Sequence, residues 1–394
     1  MTAFADIPGA VCAAQGFRAA GVAAGLKRSG GLDLALIVSE GTASAAGVFT
    51  LHRAAAAPVQ VSRQRLAAGR ARGIVVNAGC ANAVTGARGL ADAAAMADAA
   101  AAETGIDPAE MLVCSTGKIG SYLPMGQVRK GIADAAARLG TGDADAAGAI
   151  LTTDTRPKTA AVEHPEGWRV GGMAKGAGMI APDMATMLAF VTTDAAVDRG
   201  VLQAALASAV DRSFNAITVD GECSTNDTVL VLANGASGVE VQPGEIAEAL
   251  ELVCGRLARA IVADGEGATK LVRVVVTGAR SEDEARQAAR AVAESPLLKC
   301  ALYGSDANWG RVAAALAGSG ASMDLEGWSI EMGGVLLLDR GRPVEGDAED
   351  RARKALRPRE VEIRCDLAAG EAEGEILTTD FSPGYVGINA EYEP

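Results

Sequence analysis

Short apolar runs recur along the chain: LDLALIV at 32–38, GIVVN at 73–77, MLAFVTT at 187–193 and TVLVLAN at 228–234, then VRVVVTG at 272–278, GWSIEMGGVLLLD at 327–339 and VEIRCDL at 360–366. Their length and their content of Val, Ile and Leu predict β-strands. Between them, stretches with apolar positions three and four residues apart predict helices over 87–104, 126–139, 244–263 and 281–294. The last helix opens Ser281-Glu282-Asp283-Glu284, a capping-box pattern that occupies free N–H groups at a helix start. Several strands alternate apolar and polar positions, as in sheets whose two faces pack differently. The interleaving predicts an α/β fold, a layered sandwich in two lobes, over a pure β or helical architecture. GTGDADAAG at 140–148 and GRPVEGDAED at 341–350 read as loops.

Composition narrows the function classes. At 394 residues, with 49% hydrophobic and 22% charged content, the chain suits a globular protein with room for two cores. A formal net charge of −13 disfavours nucleic acid and anionic membrane as partners. Aromatic content of 3% offers few platforms for stacked bases, so a small substrate fits better. No apolar run reaches the length of a membrane span, and the opening MTAFADIPGA does not read as a secretory signal, so a cytoplasmic location is expected. The seven cysteines are scattered and never in CxxC spacing, which predicts neither a disulfide framework nor a metal site.

Candidate chemistry is limited by histidine. Only His52 and His164 are present, and both contexts suit surface or structural roles, so a hydroxyl nucleophile here needs another base. Lys175-Gly176-Ala177-Gly178 resembles half of a phosphate loop without the full spacing, and reads better as a tight turn. Thr186, between Ala185 and Met187, is the third feature. Alone, it reads better as a structural residue at the start of a buried strand, since β-branched residues favour strands. Cutting the chain before it would free an α-amine on the same residue, with a pKa of roughly 7.7–8.0 and therefore partly neutral at pH 7. Such an amine can take the hydroxyl proton without histidine.

The company Thr186 keeps is specific. TTDTRPK at 152–158, MAKGAGMIAPDMATML at 173–188 and TTDA at 192–195 precede FNAITVDGECSTNDT at 214–228, DGEGATKL at 264–271, SDANWGR at 305–311 and GYVGINAEY at 384–392. Together, from Gly16-Phe17 almost to the C-terminus, these resemble the ornithine acetyltransferase family, the bifunctional glutamate N-acetyltransferases of arginine biosynthesis.

The resemblance implies that the chain cuts itself at Ala185–Thr186 into an α chain of 1–185 and a β chain of 186–394, which stay associated. Thr186 would then carry acetyl from N2-acetylornithine to glutamate in a ping-pong cycle. It implies an oxyanion hole from the Thr116 hydroxyl and the Gly117 N–H, and substrate contacts at Thr152, Lys175, Thr186, Glu266 and Asn389. By charge, Lys175 would meet a substrate carboxylate and Glu266 an ornithine ammonium; a Lys175–Glu266 pair is the plainer alternative. It implies no cofactor and no metal, leaves acetyl-CoA open as a second donor, and suggests an α2β2 heterotetramer. The chain departs from the family pattern at Glu393-Pro394, where a hydroxyl residue is usual, at NAGCANAVTG (77–86), at Lys118 in STGKIG, and at Glu222-Cys223-Ser224. These departures bear on substrate choice and keep three alternatives in view: a specialised-metabolism paralogue acting on another N-acetylated amino acid, a related self-processing aminopeptidase, and an uncleaved binding relative.

Overall fold

A computed structural model describes residues 4–181 and 187–391. Ala185, Thr186 and Pro394 lie outside the described residues. The chain divides into two compact units, residues 1–215 with 222–261, and residues 216–221 with 262–393.

The first unit is built on a nine-stranded sheet. Its strands are β1 Ala5–Asp6, β2 Phe17–Val22, β3 Leu34–Phe49, β4 Arg70–Cys80, β5 Met111–Lys118, β6 Lys158–Glu163, β7 Arg169–Lys175, β8 Leu188–Thr193 and β9 Thr228–Ala233. They run in the order β1-β6-β7-β8-β9-β3-β4-β5, with β2 pairing β3 off this path. The helices are α1 Ala57–Arg65, α2 Gly86–Thr104, α3 Met125–Ala136, α4 Ala144–Ala149, α5 Arg199–Asp211 and α6 Pro243–Ala263. Alternate residues of β3, β4 and β5 feed two separate cores. Leu34, Leu36, Val75 and Val113 pack with α2 and α3, while Ile37, Ile74, Val76 and Leu112 pack with α4 and with Phe190 and Leu230. Both faces are covered, so β8 and β9 are buried at every residue and lack the alternation expected of half-buried strands.

The second unit carries β10 Leu271–Ala279, β11 Ser329–Met332, β12 Val335–Asp339, β13 Arg342–Pro343, β14 Glu360–Asp366 and β15 Ala372–Thr379. They are ordered β13-β12-β11-β14-β10-β15, with β10 and β14 parallel. Its helices are α7 Glu282–Ala293, α8 Pro296–Tyr303, α9 Trp309–Gly318, α10 Ala348–Ala355 and α11 Pro383–Ala390. Burial in β14 alternates, and its inward Ile363 and Cys365 pack with Ala285, Ala289 and Val292 of α7. The Ser281 hydroxyl accepts from the Glu284 N–H at 3.2 Å, as the capping pattern predicts.

Three expectations need correction. The run 327–339 is not one strand: it turns at Gly333-Gly334, both with positive φ, to pair β11 with β12. The expected loop at 140–148 holds most of α4, whose alanines bury against the sheet. Likewise 341–350 contains β13 and the start of α10.

Candidate active site

The Ser115-Thr116-Gly117 element forms the end of β5, beside the end of β4. Gly117 (φ +125°) pairs with Gly79 (φ +99°), and a Cβ on Gly117 would sit 2.4 Å from the Gly79 carbonyl carbon. A Cβ on Gly79 would in turn sit 2.9 Å from the Leu26 oxygen. Three backbone segments therefore approach at distances only glycine permits. Thr116 is 2% exposed, and its hydroxyl has no hydrogen-bond partner among the described residues. Lys118, the departure noted next to it, is exposed at the strand's end.

Two consecutive residues leading into β9 tie this element to the residue after Thr186. The Asn226 amide donates to the Ser115 carbonyl at 2.9 Å and to the Ala81 carbonyl at 2.7 Å. The Met187 N–H donates to Asp227 Oδ1 at 2.9 Å. Asp227 is fully buried, and its Oδ2 has no hydrogen-bond partner among the described residues. Burial holds this carboxyl well above the usual carboxylate range, outweighing the Met187 N–H and the charge of Lys175.

Lys175 ends β7 and is 2% exposed. It stands 3.9 Å from Oδ2 of Asp154, a buried carboxylate with three further ligands. Lys158 Nζ and the Gly176 N–H donate to Oδ1 at 2.6 and 2.7 Å, and the Thr152 N–H donates to Oδ2 at 3.0 Å. Burial raises the Asp154 pKa, but Lys175 and Lys158 prevail and bring it to about 2. Thr152 and Lys175 are thus held by one anion. Lys27 lies close enough to feel both Asp154 and Lys175; burial lowers its pKa against the pull of Asp33.

In the second unit, Asn389 of α11 donates from Nδ2 to Glu266 Oε2 at 2.8 Å and to the Tyr385 carbonyl at 3.0 Å. Gly267 (φ +66°) passes so close to α11 that a Cβ there would meet the Tyr385 nitrogen at 2.2 Å. Asp380 accepts from the Thr269 and Lys270 N–H groups at 2.8 and 2.9 Å, fastening the same segment.

The expected residues therefore fall into three held groups: Thr116 with Gly117, Thr152 with Lys175, and Glu266 with Asn389. Ala185 and Thr186 lie outside the described residues. Neither histidine joins these groups. His164 is buried, stacked on Trp168 at 4.8 Å, while exposed His52 accepts from the Ala54 N–H. Sequence reasoning passed over Asp154, Asn226 and Asp227 as single residues. Their signal lies in TTDTRPK and CSTND, within two of the runs that carry the family resemblance.

Residues 18–394 match the ArgJ family profile. The chain is 47% identical to the arginine biosynthesis bifunctional protein ArgJ of Bifidobacterium longum, over 96% of this chain and 98% of that protein. It is 50% identical to the protein of that name from Symbiobacterium thermophilum, over 98% and 99%. Among solved structures, the arginine biosynthesis bifunctional protein argJ of Bacillus halodurans matches with a TM-score of 0.50 and 41% identity, covering 52% of this chain and 98% of that chain. The ornithine acetyltransferase of Mycobacterium tuberculosis, complexed with ornithine, is 46% identical over 46% of this chain and 98% of that chain, with a TM-score of 0.44. By profile and by relatives matched over nearly their whole length, this chain belongs to the ArgJ family.

Proposed function

We propose that this chain is an acetyltransferase of arginine biosynthesis that moves acetyl from N2-acetyl-L-ornithine to L-glutamate on Thr186, after cutting its own Ala185–Thr186 bond. The observation that carries this reading is the tie between Met187 and the β5 end, made by Asp227 and Asn226. It couples the residue following the nucleophile to the strand bearing Thr116 and Gly117. The half-length of the Bacillus halodurans chain, matched over 98% of itself but covering 52% of this one, is what a product of such a cut would give.

In self-cleavage the Thr186 hydroxyl attacks the Ala185 carbonyl and the C–N bond breaks, which frees the Thr186 α-amine; water then hydrolyses the resulting ester, restoring the hydroxyl and leaving Ala185 as a carboxylate. In each transfer that amine takes the Thr186 hydroxyl proton as oxygen attacks the acetyl carbonyl. The oxyanion forms against the Thr116 hydroxyl and the Gly117 N–H, donors of a kind worth roughly 3–4 kcal/mol in the transition state. Collapse expels the ornithine amine, which leaves with the proton; the glutamate amine then attacks the acetyl ester and restores the threonine. Lys175, held by Asp154, would pair with the substrate carboxylate, and the Glu266–Asn389 pair would hold the ornithine ammonium. An amide donor brings its own acyl group, so the cycle calls for no cofactor; acetyl-CoA is a second donor for assay. No helix among the described residues is long and apolar enough to cross a membrane. On the family resemblance, the reading includes an α2β2 heterotetramer in the cytoplasm. The peptidase, paralogue and uncleaved readings gain no support from relatives named for arginine biosynthesis.

Intact-mass analysis should show two fragments, the second beginning at Thr186. Thr186→Ala should stay as one chain and transfer no acetyl. A single uncut wild-type chain, or turnover by the alanine variant, would remove Thr186 as nucleophile. Assay with acetylornithine or acetyl-CoA as donor, glutamate as acceptor, then separates the two donor chemistries.

A further inference from the structure

Lys299 of α8 is 1% exposed and forms no ion pair among the described residues. Its Nζ donates to the Thr378 hydroxyl at 2.8 Å, to the Thr379 hydroxyl at 3.2 Å and to the Thr379 carbonyl. It also stands 4.6 Å from the centre of the Phe381 ring. A buried amine with neutral acceptors and one aromatic face is costly, and an apolar side chain would fill the space more cheaply. The expense needs a reason.

What Lys299 touches supplies one. Thr378, Thr379 and Phe381 are the last residues of β15 and the approach to α11. The Phe381 N–H donates to the Lys299 carbonyl at 3.1 Å, and the Phe381 ring stacks on Tyr385 at 4.8 Å. The Tyr385 hydroxyl donates to Asp220 at 3.2 Å, and the Tyr385 carbonyl accepts from Asn389, which reaches Glu266. Ser382 caps α11 at the Gly384 N–H and donates its hydroxyl to the Gly267 carbonyl at 2.6 Å, one residue beyond Glu266. An unbroken path of contacts thus runs from the ammonium to the Glu266–Asn389 pair.

We propose that Lys299 is a positioning residue whose ammonium seats α11, and with it Asn389 on Glu266, so that its protonation governs how well the ornithine ammonium is held. The inference rests on the substrate reading above. Cation–π attraction to Phe381 and the bonds to both threonines are strongest for the charged form. Burial lowers the Lys299 pKa to about 7, against the upward pull of Asp220, Asp380, Glu294 and Cys300, the titratable groups that face it. The seat therefore loosens as pH rises through neutrality.

The test compares the cut wild type with Lys299→Met and Lys299→Arg, each checked for a folded circular-dichroism spectrum. Ornithine affinity by calorimetry should fall in the wild type between pH 6 and pH 8.5 and stay flat in Lys299→Arg. In Lys299→Met it should be about tenfold weaker than wild type at pH 6, the loss of one charged hydrogen bond, and should fall no further by pH 8.5. Wild-type affinity in folded Lys299→Met at pH 6, or the wild-type pH dependence in Lys299→Arg, overturns the proposal. Hydrogen exchange over 383–390 without ligand gives an independent reading, and should be faster in Lys299→Met at pH 6. Should the wild type bind no ornithine, the substrate reading fails and exchange alone decides: unchanged protection in Lys299→Met then overturns the positioning role. If Lys299→Met does not fold, Phe381→Leu takes its place and should loosen α11 in the same assay; wild-type exchange there overturns it equally.

Discussion

A single carboxylate, Asp154, organises the part of the site that would receive the substrate's acid group. It gathers Lys158, Lys175, the Gly176 N–H and the Thr152 N–H around two oxygens, and its charge is what two buried lysines require. Its pKa of about 2 lies below the ordinary value, so its stabilisation is full above the unfolded carboxylate pKa and is lost as pH falls through about 2. Asp154→Asn keeps the shape and removes the charge at every pH. Breaking such a buried pair costs about 3–5 kcal/mol, so the variant should melt well below wild type at pH 7. Among molecules still folded, KM for acetylornithine should rise about tenfold while cleavage at Thr186 persists, since Lys175 and Thr152 lose their common anchor. Unchanged melting and KM would show that the lysines are held by other means. Thr152 and Lys158 stand beside Asp154 in TTDTRPK, but its role as a common anchor is not legible there, because Gly176 and Lys175 meet it from more than twenty positions away. Asp227 was hidden for a similar reason: only the fold shows that its partner is Met187.

At the scale of elements, the pattern of apolar residues located β4, β8, β9, β10 and β14 within a few positions, and α2, α6 and α7 almost to the residue. By contrast, α3 stops at Ala136, short of 139, and only the first part of β3 was found, since the strand runs on from 38 to Phe49. What it passed over is instructive. β2 (FRAAGV) and β7 (RVGGMAK) are rich in alanine and glycine, residues with little strand preference of their own. They are strands because close neighbours demand small residues: a Cβ on Gly21 would lie 2.0 Å from the Asp145 oxygen, and one on Gly171 would lie 1.9 Å from the Ala10 oxygen. β5 was missed because its apolar part is short and it ends in STGK, yet it carries the proposed oxyanion donors. The same crowding gives a sharp test there. Gly117→Ala must place a Cβ against the Gly79 backbone at a φ that side chains avoid, at a cost of roughly 1–3 kcal/mol. Because the strain falls on the donor itself, kcat should drop by about a hundredfold while KM changes little. Equal loss in both constants would mean that the end of β5 shapes binding and leaves the oxyanion unsupported.

At the scale of the molecule, the proposed cut and the folded units divide the chain in different places. The second unit lies wholly after Thr186, whereas the first is assembled from both sides of it. Strands β1 to β7 precede the cut; β8 and β9 follow it and sit in the middle of the sheet, between β7 and β3. β7 pairs with β8 from Val170↔Thr193 to Lys175↔Leu188, and β9 pairs with β3 from Ser44↔Ala233 to Phe49↔Thr228. Without the β chain, the α chain would hold two sheet fragments with bare inner edges, and Phe190 and Leu230 would be missing from its core. Without the α chain, β8 and β9 would form a two-stranded parallel pair, which has no independent stability. The two products should therefore co-purify as one particle through salt and dilution, and separate only in denaturant. Chains 1–185 and 186–394 expressed apart should each fail to fold the first unit, the α chain being insoluble, while coexpression restores a complex. The second unit, with its own core around α7, β10 and β14, should still give a folded spectrum within the isolated β chain. A soluble, folded α chain on its own would contradict the strand order, because no arrangement of β1 to β7 in that order leaves the sheet continuous.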